Sequence, residues 1–173
     1  MKTLMLLRHA KSSWDDPDLA DIDRPLAQRG RKAAPKMAAY MKKQGWSPAL
    51  VLVSPAKRAQ QTWAAMAESF PDATVVTVDA IYPGEPHALA GVLADVAGDV
   101  PSVMMIGHNP GLETYAEQLA RRSSNGTLDR LLAKFPTAAL AVYQIEDNLD
   151  WPTAATHGGK LVAFVRPREL DDR

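Results

Sequence analysis

At 173 residues, with 46% hydrophobic and 23% charged side chains, the chain has an ordinary globular make-up and enough apolar surface for a core without staples. Its 20 Lys and Arg balance 20 Asp and Glu, so at a formal net charge of +0 no overall field draws it to nucleic acid or lipid, and anion binding has to be local. The absence of cysteine excludes disulfides, thiolate nucleophiles and cysteine-bound zinc.

The first apolar run, Leu4-Met5-Leu6-Leu7, reads as a short buried strand that ends at Arg8-His9. It is too brief for a secretory signal, and no stretch approaches the ~18 apolar residues of a membrane helix. A single cytoplasmic domain over residues 1–173 is expected, with no membrane and no nucleic-acid partner. Residues 10–25 lack periodicity and leave the end of this strand, so they are expected to border a crevice. Residues 27–44 are helical through Ala34, Met37, Ala38 and Met41, with Gly30 and Pro35 predicting a kink or a broken first turn. A second strand, Leu50-Val51-Leu52-Val53, runs into Ser54-Pro55-Ala56-Lys57-Arg58-Ala59. The following helix carries Ala59, Thr62, Trp63, Met66, Ala67 and Phe70 on one face, and Pro71 closes it.

Residues 75–78 make a further strand, and Leu89, Val92, Leu93 and Val96 a helical stripe. Val103-Met104-Met105-Ile106 is a third buried run, delivering Gly107-His108, and Leu112, Tyr115, Ala116 and Leu119 form the next stripe. Residues 123–136 show no clear periodicity, and 137–145 and 160–166 read as two late strands. Strands alternating with helices predict an α/β three-layer sandwich around a central, mostly parallel sheet flanked by helices.

In an open parallel sheet, ligands bind beyond the carboxyl ends of the strands. Here three strand ends aim His9, His108, Arg8 and Arg58 at one crevice, which makes it a site for an anion. A neutral imidazole attacks phosphorus in line, while fixed cations hold the equatorial oxygens whose charge the transition state must keep. Arg8, Arg58 and His108 are the candidate donors, arginine because its planar fork matches two phosphate oxygens. A metal site built on the two histidines fails on chemistry, because arginines rather than carboxylates flank them and a cationic rim repels a divalent ion. No metal and no cofactor are expected.

The motifs Leu7-Arg8-His9-Ala10, Asp23-Arg24-Pro25-Leu26 with Arg29-Gly30, Ser54-Pro55-Ala56-Lys57-Arg58-Ala59-Gln60-Gln61-Thr62 and Gly107-His108-Asn109-Pro110-Gly111 resemble, in order, those of the histidine phosphatase superfamily. More narrowly they are similar to its branch of SixA-type phosphohistidine phosphatases, over residues 3 to about 145. The resemblance implies a fold like phosphoglycerate mutase but smaller. It makes His9 the phosphorylated nucleophile, with Arg8, Arg58 and His108 completing the phosphate pocket and Arg24 a further phosphate or substrate contact. Ala10 stands where many members have glycine, and Ser12 matches a serine of the mutase-like motif. Most phosphomonoesterase members carry an acid in the loop after the third strand, where Glu85 is the nearest candidate here and His87 a weaker one.

Elsewhere the residues read as structural. Thr62 and Trp63 belong to the core stripe, and Lys11, Lys57 and Lys160 to solvated surface. His157 falls in a turn between late strands, and Trp14, Trp46 and Trp151 lie in or near loops where any of them could rim the pocket. The expected activity is metal-independent hydrolysis of a phosphorylated protein (phosphohistidine) or a small phosphorylated metabolite, through a phosphohistidine on His9. The alternatives are a phosphomonoesterase of the same fold using Glu85, a mutase, and a non-catalytic module that binds phosphorylated ligands. A binding module would need the arginines but no nucleophile.

Overall fold

The computed structural model describes residues 1–121, 123 and 126–171. Strands β1 (Lys2–Arg8), β2 (Leu50–Val53), β3 (Thr74–Thr77), β4 (Ser102–Gly107), β5 (Leu140–Ile145) and β6 (Lys160–Val165) form one sheet in the order β3-β2-β4-β1-β5-β6. β3, β2, β4 and β1 pair in parallel, β5 runs antiparallel to β1, and β6 turns back antiparallel to β5. The helices are α1 (Gln28–Gln44), α2 (Lys57–Met66), α3 (Pro86–Ala94), α4 (Gly111–Leu119), α5 (Gly126–Ala133), α6 (Trp151–His157) and α7 (Pro167–Leu170).

The two-residue period of the strands divides the core into two layers. Leu4, Leu6, Leu52, Val103 and Met105 face α3, α4, α5 and α6, with Trp151, Tyr115 and Phe135 filling the gaps. Met5, Leu7, Val51, Val53, Met104 and Ile106 face the other way, against Met37, Met41, Trp63 and Met66 of α1 and α2. Strands buried on both faces carry continuous apolar runs, which is why β1, β2 and β4 were conspicuous in the sequence.

Several expectations change in detail. Helix α1 is continuous and its first turn is intact, with the Arg31 amide donating to Ala27 O at 3.0 Å. Pro35 lies on its exposed side, while Ala34, Ala38 and Met41 hold the opposite face to the sheet. Gly30 is needed for contact rather than flexibility, since a Cβ there would lie 2.2 Å from the Lys11 carbonyl oxygen. The stretch 123–136 contains α5, a helix short enough to carry only one fully buried residue, Leu131. His157 ends a short helix, α6, instead of lying in a strand-to-strand turn. Trp151 is wholly buried, with its indole N–H donating to Val100 O at 3.0 Å, so it does not rim any pocket. Trp46 packs edge-on against Tyr40 beside the second core layer.

Candidate active site

Because β2, β4 and β1 are neighbours and parallel, the segments leaving their carboxyl ends emerge side by side. Ladder hydrogen bonds continue past the strands, from His9 N–H to Gly107 O at 3.1 Å and from Ser54 N–H to Ile106 O at 3.2 Å. His9 and His108 meet with their ring centres 5.0 Å apart, each 6% exposed.

The hydrogen bonds define which nitrogen of His9 is free. Nδ1 lies 2.8 Å from the Ala10 carbonyl, which only accepts, so Nδ1 carries the proton and Nε2 keeps its lone pair. Burial above all, with the nearby charges of His108, Arg58 and Arg8, pushes the pKa of His9 down to about 3 against the pull of that carbonyl. Imidazole is thus a neutral base with its nucleophilic nitrogen open. His108 is lowered to about 4, again mainly by burial and then by Arg58. Its Nε2 lies 2.7 Å from Ser54 Oγ, a hydroxyl that already accepts from Ala56 N–H and is free to donate to the imidazole. In that arrangement His108 Nδ1, buried and without a hydrogen-bond partner among the described residues, carries an N–H that is free to donate.

The three arginines are held differently. Arg8 donates to Phe135 O at 3.2 Å, beside Asn109, which donates to the same carbonyl at 2.9 Å, and it feels the attraction of Glu113 on α4. Arg58 sends one Nη to Asp21 O at 2.7 Å and the other to Asp21 Oδ2 at 3.0 Å. Arg24 donates to Asp21 Oδ1, to Ser12 Oγ at 2.9 Å and to Ser13 O, and its guanidinium lies 3.5 Å from the centre of the Trp14 ring. Trp14, 71% exposed, is therefore the one tryptophan of the three that borders these cations.

Asp21 and Tyr82 join these residues although nothing in the sequence singled them out. Asp21 sits on a single 3-10 turn over Asp21–Asp23 and bridges Arg58, Arg24 and the Tyr82 hydroxyl, which donates to its Oδ2 at 2.6 Å. The Tyr82 bond first, then Arg58, holds its carboxyl down at about 2, so it is an anion at neutral pH. The signal available was Asp21 three residues before Arg24, a spacing that recurs on helical turns and rarely means a site. Tyr82 also packs edge-on against His108, at 5.4 Å between centres. Its loop is pressed onto the start of α4: a Cβ on Gly111 would lie 1.8 Å from Gly84 O, so only glycine allows that approach.

Thr62 is fully buried, as a core residue would be, but its hydroxyl accepts from Ala10 N–H at 2.9 Å and donates to Arg58 O at 2.7 Å. It ties the loop that aims His9 to the helix that carries Arg58. Glu85 is exposed and stands at the amino-terminal cap of α3, where its carbonyl accepts from Leu89 N–H and its side chain makes no cap bond. His87 lies on the exposed first turn of the same helix. Among the described residues no three His, Asp or Glu side chains gather as metal ligands, and no helix is long and apolar enough to cross a membrane.

The model of the histidine phosphatase superfamily, branch 1, matches residues 4–81. An uncharacterised chloroplastic protein of Arabidopsis thaliana is 36% identical over 182 residues, covering 96% of this chain and 78% of its own. The SixA-assigned protein of Agrobacterium tumefaciens superposes with a TM-score of 0.80 at 30% identity, over 96% of this chain and 98% of that one. This chain belongs to the histidine phosphatase superfamily, in its SixA-type branch. A SixA-assigned structure from Nakamurella multipartitia agrees, at TM-score 0.84 and 29% identity over 96% of both chains. As a member of this family the protein is a phosphatase, and its sheet and flanking helices have the phosphoglycerate mutase-like architecture.

Proposed function

We propose that the protein hydrolyses phosphohistidine on a protein substrate, with His9 as the nucleophile that carries the phosphoryl group between two steps. In the first, His9 Nε2 attacks phosphorus and the P–N bond to the substrate imidazole breaks. Arg8, Arg58 and the free N–H of His108 take up the phosphoryl oxygens, and Arg24 orients the phosphate or its carrier. In the second, water attacks the phosphorus on His9, releasing inorganic phosphate and restoring the neutral imidazole.

The observation that carries the choice of substrate is the state of the acids. An alkoxide must be protonated as it leaves, because its conjugate acid is about as weak as water, with a pKa of ~15.7. Imidazole leaves far more readily, since its nitrogen takes up a proton near pH ~6.5 unaided. Asp21 is the carboxylate hydrogen-bonded to the pocket arginines, and with its pKa held at about 2 it has no proton to give. Glu85, which would be the acid of a phosphomonoesterase, is an exposed helix cap. A nucleophile and three arginines, with Asp21 held as an anion, favour breaking P–N bonds. The fold-related SixA structures, at 29% and 30% identity, support the same choice.

The test is a substrate panel. A protein phosphorylated on histidine should be turned over with kcat/KM at least two orders of magnitude above serine or sugar phosphates, and Glu85→Gln should leave that rate unchanged. Efficient ester hydrolysis that collapses in Glu85→Gln would transfer the assignment to a small-molecule phosphomonoesterase.

A further inference from the structure

Although the chain is electroneutral, its charge is not evenly spread. A groove of about 470 Å³ runs along the face of α1, bounded by the segment around Lys134 to Thr137 and by the start of α7. Lys11, Arg29, Lys32, Lys134 and Arg168 line it, and among the described residues none of these five makes an ion pair. Two further cations on its wall are partly neutralised, Lys36 by Asp171 and Arg166 by Glu169. Ala33, Pro136 and Pro167 give it an apolar floor.

The groove adjoins the phosphate pocket, because both are built on the same segments. Lys11 is two residues beyond His9, and its carbonyl accepts from Ala27 N–H at the head of α1. Pro136 and Thr137 lie between Phe135, whose carbonyl holds Arg8, and Ala138, whose N–H reaches both Arg8 O and His9 O at 3.0 Å. Arg29, Lys32 and Lys36 recur at helical spacing on one face of α1, so their charges extend over about 10 Å at ~1.5 Å per residue. One phosphoryl group, already served by the pocket, cannot span that distance. Several carboxylates on a folded surface can.

We infer that this groove is the docking face for an acidic protein surface next to the substrate phosphohistidine, so that the protein is recognised outside the reacting group. The inference rests on the proposed phosphohistidine substrate. Electrostatic complementarity of this kind speeds encounter and fixes orientation, and it weakens as salt rises.

The experiment compares wild type, the double charge reversal Lys32→Glu with Arg168→Glu, and the conservative pair Lys32→Arg with Arg168→Lys. The substrates are a histidine-phosphorylated phosphotransfer domain with an acidic surface and the free amino acid phosphohistidine. Charge reversal should lower kcat/KM for the phosphorylated domain about tenfold or more and flatten its salt dependence, mainly through KM. The conservative pair should retain the wild-type rate, and all three proteins should hydrolyse free phosphohistidine equally. An unchanged rate on the domain, or an equal loss on both substrates, would overturn the docking assignment. So would inhibition of both reactions by inorganic tripolyphosphate that disappears on charge reversal, which would make the groove a small-anion effector site. A wild-type protein inactive on both phosphohistidine substrates would instead refute the substrate reading on which the groove's role depends.

Discussion

The chemistry of the site depends on proton positions at two histidines and one aspartate. His9 and His108 ionise near pH ~6.5 in an unfolded chain but near 3 and 4 when folded, so between those values the folded protein binds fewer protons than the unfolded chain. Stability is therefore complete above neutrality and is lost as pH drops through ~6.5 towards the folded values, at about 2 kcal/mol for each histidine between pH 7 and 5. Urea unfolding at the two pH values should show His9→Asn losing one histidine's share less than wild type; equal losses would mean His9 is not buried as a neutral ring. Asp21 works in the same sense in a lower window: its pKa, depressed to about 2, gives stability that is complete above the ordinary carboxylate value of ~3.9 and fades only as pH falls below it. Asp21 also occupies both Nη groups of Arg58, the donors a phosphoryl oxygen needs. Asp21→Asn should therefore lower the inhibition constant for inorganic phosphate about tenfold, near the worth of one charge-assisted hydrogen bond. A weaker inhibition in that variant would show that Asp21 holds Arg58 in place for phosphate instead of competing with it.

The elements that build the pocket were legible in the sequence to different degrees. β1, β2 and β4 are buried on both faces, so their unbroken apolar runs marked them and their carboxyl ends located His9, Arg58 and His108. The loops around them gave no comparable signal. Nothing about Ala138 announces its positive φ of 59°, and nothing about Thr62 on an apolar stripe announces two hydrogen bonds to site segments. Helix α5 escaped notice because a short helix with Leu131 as its one buried residue leaves little periodicity to read. Thr62→Val keeps the shape and removes both bonds, leaving Ala10 N–H without its partner in a buried setting. It should cost about 1–3 kcal/mol of stability and lower kcat more than phosphate binding, because Ala10 aims the imidazole. At Gly111 a methyl group has to push back the Tyr82 loop, so Gly111→Ala should destabilise by about 1–3 kcal/mol in thermal or denaturant unfolding. A neutral Gly111→Ala would mean that the loop does not rest on α4.

On the scale of the whole molecule, the parallel strands of a mixed sheet supply the crevice, and the helices supply charge to one side of it. In the proposed mechanism three arginines balance the phosphoryl charge and a neutral His108 adds a hydrogen bond, so activity should survive treatment with EDTA, and restoration by magnesium after such treatment would contradict this picture. The fold could be anticipated because hydrophobic periodicity is a global property. The Asp21 network and the basic groove could not, because each joins side chains far apart in the chain through their final geometry. The account is tested most directly by quenching a single turnover with a histidine-phosphorylated protein in base and mapping the phosphoryl group on the enzyme by mass spectrometry and phosphorus NMR. Nδ1 of His9 is committed to the Ala10 carbonyl, so the label should appear on His9 alone, at Nε2, and His9→Asn should form no phosphoenzyme. Label on Nδ1 or on another residue, or turnover in His9→Asn, would contradict it.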